Sequence, residues 1–459
     1  MTSGILSELV AIVGERHLVP GETLRTRPLD FWTDDPTIAL ALVKPGSTAE
    51  VSAVLALCDD RGIAVVAEGG RTNLNQGTRA DETSLLLSLE RLNAIGVPDE
   101  GALTIEAGAG AVVQTLQERC ADRGLRFGLD FGARGSATLG GALATNAGGF
   151  QAMRYGVARD QVLGLECVLA DGTVLRHLSP YAKDNTGYDL KQLFIGSEGT
   201  LGIITRAVLK LHPAPVTVNT ALLAFPDFDC VTRTLGRLRR GLHGTLSSFE
   251  IMWPAFFELN AATLFGARRP LPPGAALYAL CEAEGFEPDG DGALFEALVG
   301  AALEAGDVGD AVIAQSSRQR DEFWRIREDF EAEQALFPVL IDFDISLPLA
   351  RMDAFVGELD AALRREIPDV IALHVLGHLG DGNLHLTTGL PTTERRGALK
   401  ALVYGLVARY RGSISAEHGI GLLKRDYLHH SREPAEIATM RRLKAALDPR
   451  GTLNPGKVI

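Results

Sequence analysis

The sequence predicts an α+β fold laid out in three consecutive regions, and the pattern of apolar runs, glycines and prolines carries that reading. Between Thr37 and Pro213, strand-length apolar runs alternate with helical patterns and many glycines. At Leu211-His212-Pro213-Ala214-Pro215 the prolines end a strand and mark a boundary. From Val216 to about Leu390 the pattern is strand–helix–strand, with fewer glycines and several amphipathic helices. The last region holds a helix from Glu433 to Leu447, then the tail Leu453-Asn454-Pro455-Gly456-Lys457. The expected division is therefore 1–213, 214–390 and 391–459. A chain of 459 residues is long enough for two or three domains and a large core.

Composition narrows the class. Apolar residues make up 46% and charged residues 22%, the proportions of a soluble globular protein. A net charge of −13 argues against a nucleic-acid or anionic-membrane surface. Cys58, Cys120, Cys167, Cys230 and Cys281 are scattered and form no CxxC pair. Buried, reduced thiols in a reducing compartment are expected, and with them a cytoplasmic location. Glu8 interrupts the apolar N-terminal stretch, which reads as a small amphipathic helix and not as a leader. No apolar run approaches the ~20 residues needed to span a bilayer.

In chain order, Ser47-Thr48-Ala49-Glu50 reads as a capping-box helix start. That helix ends before Gly62, and Ile63–Val66 is the next strand. Three glycine-rich stretches follow. The first is Glu68 to Gly77. The second is Gly132 to Gly141, continuing into Ala144 to Gly149. The third is Ile195 to Ile203. Glycine lets backbone N–H groups approach a phosphate closely, and consecutive N–H groups form an anion-binding nest. One such stretch is an ordinary tight turn; three in one half of the chain favour a large phosphorylated cofactor. Gly108-Ala109-Gly110 does not extend to a Rossmann fingerprint, because Val113 occupies the last glycine position. Asp171-Gly172 reads as a hairpin turn, and Pro270 to Gly274 as a loop. On Arg318–Gln334, Phe323 and Phe330 recur at helical spacing, with Arg327 and Glu331 sharing that inward face at i,i+4.

The most telling element is Gly377-His378-Leu379-Gly380-Asp381-Gly382-Asn383-Leu384-His385. Apolar residues alternate on both sides of an Asp-Gly pair, which predicts a hairpin with a type I′ turn at Asp381-Gly382. That register sets His378 directly opposite His385, with Cβ atoms roughly 4.5–5.5 Å apart. Two imidazoles so placed can close on one divalent metal, with Glu417 or His418 of Ser415-Ala416-Glu417-His418-Gly419 as a further ligand. The bland alternative is a solvated histidine pair on an ordinary hairpin.

Together, Ala144-Thr145-Asn146-Ala147-Gly148-Gly149, Gly196-Ser197-Glu198-Gly199-Thr200-Leu201-Gly202 and Gly380-Asp381-Gly382-Asn383 resemble a known pattern. From about Pro45 to the C-terminus the chain resembles the vanillyl-alcohol oxidase / p-cresol methylhydroxylase superfamily, and within it the FAD-linked D-2-hydroxyacid dehydrogenases. The resemblance implies a two-subdomain FAD-binding domain, an α+β cap over the flavin, and a helical C-terminal segment completing the site. It implies cofactor contacts from Pro45; from Glu68, Gly69, Gly70, Arg71, Thr72, Asn73 and Gly77; and from Gly135, Ser136, Thr138, Gly140 and Gly141. Further implied contacts are Ala144, Thr145, Asn146, Gly148, Gly149, Glu198, Gly202, Ile203 and Asn454. The pyrophosphate loop holds no His or Cys, so noncovalent FAD is expected.

The resemblance also implies His378, His385 and Glu417 as ligands of a divalent metal, zinc first, and His418 as general base. It implies substrate contacts from Arg327, Glu331, Asp342 and Thr387. Relatives acting on 2-hydroxyglutarate tend to have a hydroxyl residue, a lysine and an asparagine where Glu331, Asp342 and Thr387 stand. The two acids would repel a second carboxylate, so neutral or cationic-tailed D-2-hydroxy acids are the expected substrates. The alternatives are a D-2-hydroxyglutarate dehydrogenase, an alcohol oxidase of the same superfamily, and a non-catalytic FAD-binding subunit. The expected partners are a small 2-hydroxy acid and an electron-accepting protein or quinone; a homodimer is compatible with the pattern, and nucleic acid is not.

Overall fold

The structure is a computed structural model that describes residues 2–459. It divides into two compact units. Among the described residues, unit one comprises 2–148, 156–214 and 417–459; unit two comprises 149–155 and 215–416. One division falls between Ala214 and Pro215. The second division falls after Ala416, not after Leu390, because the helix Arg396–Arg409 packs on the helix Met352–Glu366 and Tyr404 packs edge-on against Phe343 at 5.4 Å.

Unit one is built on two sheets. β1 (Leu18–Pro20), β2 (Ala41–Val43), β3 (Val65–Glu68) and β4 (Leu85–Ser88) form the first, in the order β1-β2-β4-β3. β2, β4 and β3 run parallel, so a crossover is required, and the helix Thr48–Arg61 makes it. Ser47 caps this helix, its hydroxyl accepting from the Glu50 N–H at 3.1 Å, and Gly62 ends it in the left-handed conformation. Val51, Val54, Leu55 and Cys58, at i,i+3,i+4,i+7, turn inward and are fully buried. β5 (Thr104–Gly108) opens the second sheet. β6 (Leu125–Arg126) pairs separately with a later strand. β7 (Val162–Val168), β8 (Val174–His177) and β9 (Ile203–Lys210) complete the antiparallel order β5-β9-β7-β8, and β10 (His212–Pro213) is the partner of β6. Asp171-Gly172 does form the turn between β7 and β8, with Gly172 at φ 85°.

Unit two is one seven-stranded antiparallel sheet. Its strands are β11 (Thr217–Phe225), β12 (Leu246–Met252), β13 (Leu277–Gly285), β14 (Asp310–Ile313), β15 (Val339–Ser346), β16 (Leu373–His378) and β17 (Asn383–Leu390). They lie in the order β14-β11-β13-β12-β16-β17-β15. Leu222, Met252, Tyr278, Leu280 and Leu376 share one face and pack against the helices Pro254–Phe265 and Ser317–Glu328. Strand residues alternate faces, so Glu250, two before Met252, and His378, two after Leu376, project from the same face as that core.

The described residues contain no helix long and apolar enough to cross a membrane. All five cysteines are buried and unpaired, and burial pushes the Cys58 thiol up to about 12.

Candidate active site

The histidine hairpin of unit two differs in register from the expectation. Leu376 faces His385, and the ladder continues so that the loop spans Leu379–Gly382. Only Gly382 has positive φ, at 88°, so the turn is not type I′. The four-residue loop is fixed from outside: the Arg239 guanidinium donates to the Gly380 carbonyl, and the Asn383 amide donates to Asp344 (2.9 Å) and to the Ile345 carbonyl (3.0 Å). The shift is two residues, so pleat parity survives. His378 and His385 become diagonal neighbours on one face, with Nε2 atoms 3.3 Å apart.

Behind this pair lies a buried carboxylate. His378 Nδ1 meets Glu250 Oε1 at 2.7 Å, and Arg327 Nε donates to Glu250 Oε2 at 2.7 Å. All three residues are buried. Burial alone would push the Glu250 carboxyl up; the His378 imidazole and the Arg327 guanidinium outweigh it and hold the group below its ordinary value. Phe150 walls the network, its ring edge-on to His378 at 5.6 Å and under the Arg327 guanidinium at 5.2 Å.

Arg327 and Glu331 therefore do not share a helix face. The helix ends at Glu328, where the Asn260 amide donates to the Ile326 (3.0 Å) and Asp329 (2.8 Å) carbonyls and turns the chain. Glu331 begins a new six-residue helix and is exposed. Phe330 is partly exposed as well, while Phe323 is core.

One repeat along the same sheet face, Asp342 faces Thr387, and Thr387 faces His374. Glu333 is fully buried beneath them and meets His374 Nδ1 at 2.6 Å through one oxygen; the other has no hydrogen-bond partner. Asp342 is open to solvent yet lies deep among protein atoms. That desolvation and the Glu333 charge push its carboxyl up to about 7, and a hydrogen bond from Thr387 opposes the rise.

In unit one the first two glycine-rich stretches line a cavity of about 780 Å³, near the upper end of the ~300–1,000 Å³ usual for ligand sites. Glu68, Gly69, Gly70, Arg71, Ser136 and Thr138 line it, together with Arg27, Phe31 and Lys44. Gly70 has no room for a side chain: a Cβ would lie 2.0 Å from the Ser136 carbonyl oxygen.

Residues 214–458 match the family described as "FAD linked oxidases, C-terminal domain", and residues 39–177 match "FAD binding domain". A Bos taurus protein named D-2-hydroxyglutarate dehydrogenase, mitochondrial, is 39% identical over 456 residues, which is 99% of this chain and 83% of that protein. A D-2-hydroxyglutarate dehydrogenase of Xanthomonas citri pv. viticola is 37% identical over 465 residues, 97% of this chain and 96% of that one. The chain belongs to the FAD-linked oxidase family. The fold also superposes on a p-cresol methylhydroxylase structure with a TM-score of 0.76 at 15% identity, covering 99% of this chain and 96% of the other. That likeness is one of fold, the p-cresol methylhydroxylase type expected from the sequence.

The cavity of this FAD-linked oxidase suits the cofactor's pyrophosphate. Arg27, Arg71 and Lys44 line it, and Glu68 and Glu90, which also line it, pair with Arg27 and Lys44, so the lining keeps one net cation. Arg27 pairs with Glu68 through one nitrogen, while its Nη1 is buried without a partner, as is the Thr138 hydroxyl. Orphaned buried donors of this kind mark where a ligand's acceptors belong. Arg71 Nη1 donates to the Pro28 carbonyl at 3.0 Å, so the N-terminal segment anchors it beside the cavity.

Other implied cofactor residues also make bonds or packing contacts within the protein. The Asn146 side chain accepts from the Arg159 N–H (2.9 Å), and the Thr145 hydroxyl turns back to the Gly141 carbonyl (3.2 Å). Gly202 packs on the Phe194 ring, and Ile203 is core. Asn454 accepts from the Ala67 N–H (3.0 Å) and donates to the Glu198 carbonyl (2.5 Å). Gly148 leaves room for the Glu417 carboxylate, which a Cβ would approach to 2.6 Å. Four residues went unread in the sequence: Glu250, Glu333, Arg27 and Asn75. Glu250 did leave a signal, since a lone carboxylate in the apolar strand Phe249-Glu250-Ile251-Met252 must find a partner.

Proposed function

We propose that the chain oxidises D-2-hydroxyglutarate to the 2-oxo acid, with FAD as electron acceptor and a divalent metal, zinc first, as substrate anchor. The coarser activity is that of an FAD-dependent D-2-hydroxyacid dehydrogenase. The observation that carries the proposal is the pair of converging imidazoles, on a chain whose relatives over nearly its whole length are named for this substrate.

Two nitrogens at ~2.0–2.1 Å from a tetrahedral zinc stand about 3.3–3.4 Å apart. The 3.3 Å between His378 and His385 fits that chord. Glu250 holds the proton on His378 Nδ1, which leaves Nε2 as the donor atom, the usual carboxylate–histidine arrangement. Glu417 is proposed as the third ligand. It directly follows Ala416, whose N–H donates at 3.1 Å to Asp344, the residue across from His385. The cation would hold the substrate's carboxylate and hydroxyl and lower the hydroxyl pKa. His418 would take the hydroxyl proton, and FAD, when bound, would supply the acceptor for the C2 hydride, so that two electrons and two protons would leave the substrate. Arg327, fixed through Nε, keeps its terminal nitrogens for a substrate carboxylate. The final electron acceptor is proposed to be a protein or a quinone.

The relatives favour the dicarboxylate over the neutral or cationic-tailed acids expected from charge, and the structure weakens that charge argument. Glu331 is exposed on its own helix, and an Asp342 carboxyl near 7 is partly protonated at neutral pH. One observation still favours a neutral tail: Asp342 and Glu333 are both acids beside the proposed metal site. Anaerobic mixing with D- and L-2-hydroxy acids decides. D-2-hydroxyglutarate should bleach the flavin fastest and its L-form should not; bleaching by neutral D-acids alone would favour the second reading, and by none would sink both.

A further inference from the structure

The segment Glu417–Ile420 has no helix or strand, so side chains must satisfy its backbone. Two side chains do most of this. The Asn75 amide donates to the His418 and Gly419 carbonyls, each at 2.8 Å. The Glu198 carboxylate accepts from the Ile420 N–H at 2.6 Å and the Gly421 N–H at 2.9 Å. The Asn75 carbonyl accepts from the Leu422 N–H at 2.9 Å. Five consecutive residues, 418–422, are thus held by Asn75 and Glu198, both buried. Asn73 braces the clamp, its side-chain oxygen accepting from the Asn75 N–H at 2.8 Å. The loop closes on the clamp without slack: Gly421 has φ +51°, and a Cβ there would lie 2.2 Å from the Asn75 carbonyl oxygen.

Asn75 sits in the first glycine-rich stretch, whose start lines the cofactor cavity, and Glu198 sits in the third. These stretches therefore do more than cradle a cofactor. We propose that Asn75 and Glu198 are positioning residues that fix His418, so that filling the cradle sets the geometry of the base. The inference rests on His418 being the proton acceptor. Neither residue need touch substrate: a displacement of about 1 Å in a catalytic group can cost on the order of 10²-fold in rate.

The test uses the FAD-loaded full chain with Asn75→Ala and the isosteric Glu198→Gln, beside His418→Ala. Both clamp variants should keep wild-type flavin content and KM for D-2-hydroxyglutarate. Single-turnover flavin reduction should slow on the order of 10²-fold, with a larger solvent isotope effect. Amide exchange at 419–422 should be protected by FAD in the wild type and not in Asn75→Ala. Wild-type reduction rates in both clamp variants, beside a slow His418→Ala, would overturn the proposal. Loss of flavin with an unmoved solvent isotope effect would overturn it too, since that is the mark of a merely structural role. A His418→Ala that reduces flavin normally would instead remove the base reading beneath it.

Discussion

Glu250 and Arg327 stand seventy-seven residues apart in sequence and share one buried ion pair, Oε2 to Nε at 2.7 Å, while the other oxygen of Glu250 meets His378. One carboxylate thus orients both a proposed metal ligand and a proposed substrate cation. Removing a charge from such a buried set leaves its partner uncompensated, at a cost of about 3–5 kcal/mol.

Glu250→Gln should therefore weaken metal binding about 10–100-fold, the usual consequence of losing a histidine's carboxylate partner. FAD content should be unchanged, because the cradle belongs to unit one. Metal analysis after dialysis against graded chelator checks this. Unchanged metal affinity would mean that Glu250 is only a structural counter-ion to Arg327.

The histidine pair makes a sharper case. His378→Ala or His385→Ala should abolish metal retention and nearly all turnover, with the protein still yellow. Elemental analysis alongside the flavin spectrum reads both at once. Full metal content in either variant would show that the 3.3 Å approach of the two rings is a simple hydrogen bond.

His418→Ala should keep its metal and lose about 10²–10⁴-fold in the reductive half-reaction, the range for a lost general base. Stopped-flow reduction by D-2-hydroxyglutarate measures it. Loss of metal in this variant would make His418 a ligand.

Much of this was legible from local pattern, and the failures share one cause. Ser47, Gly62 and Asp171-Gly172 act within a few residues of themselves, so their roles can be read directly. The hairpin register could not, because the loop is held by Arg239 and Asp344 from distant elements. A two-residue slip preserves the face, so the histidine pairing was right although its register was wrong. Arg327 was matched to Glu331 by i,i+4 spacing, but Asn260 ends the helix between them. Glu198 looked like a cradle residue and Asn75 went unread, because their work, bracing a loop more than two hundred residues onward, leaves no local trace.

The last prediction concerns Asp342 and separates the two substrate readings. Its carboxyl lies near 7, raised by desolvation and by Glu333, with Thr387 opposing and His374 facing Thr387 from the next strand. A raised value means the neutral form dominates below about pH 7 and the anion above it. The neutral acid can donate a hydrogen bond to a distal carboxylate; the anion repels it. Two like charges ~4 Å apart cost about 1 kcal/mol in water and about 4 kcal/mol near an effective dielectric of 20. Asp342 is open to solvent, so the lower end applies, on the order of a tenfold loss of affinity or less. The ratio of kcat/KM for D-2-hydroxyglutarate to that for a neutral acid of similar length should fall several-fold between about pH 6 and about pH 8. Taking the ratio cancels any pH dependence of the chemical step that both substrates share. Asp342→Asn should flatten the dependence, and Asp342→Lys should raise the dicarboxylate's kcat/KM at every pH. A ratio that does not move with pH in the wild-type protein would show that Asp342 points away from the bound substrate.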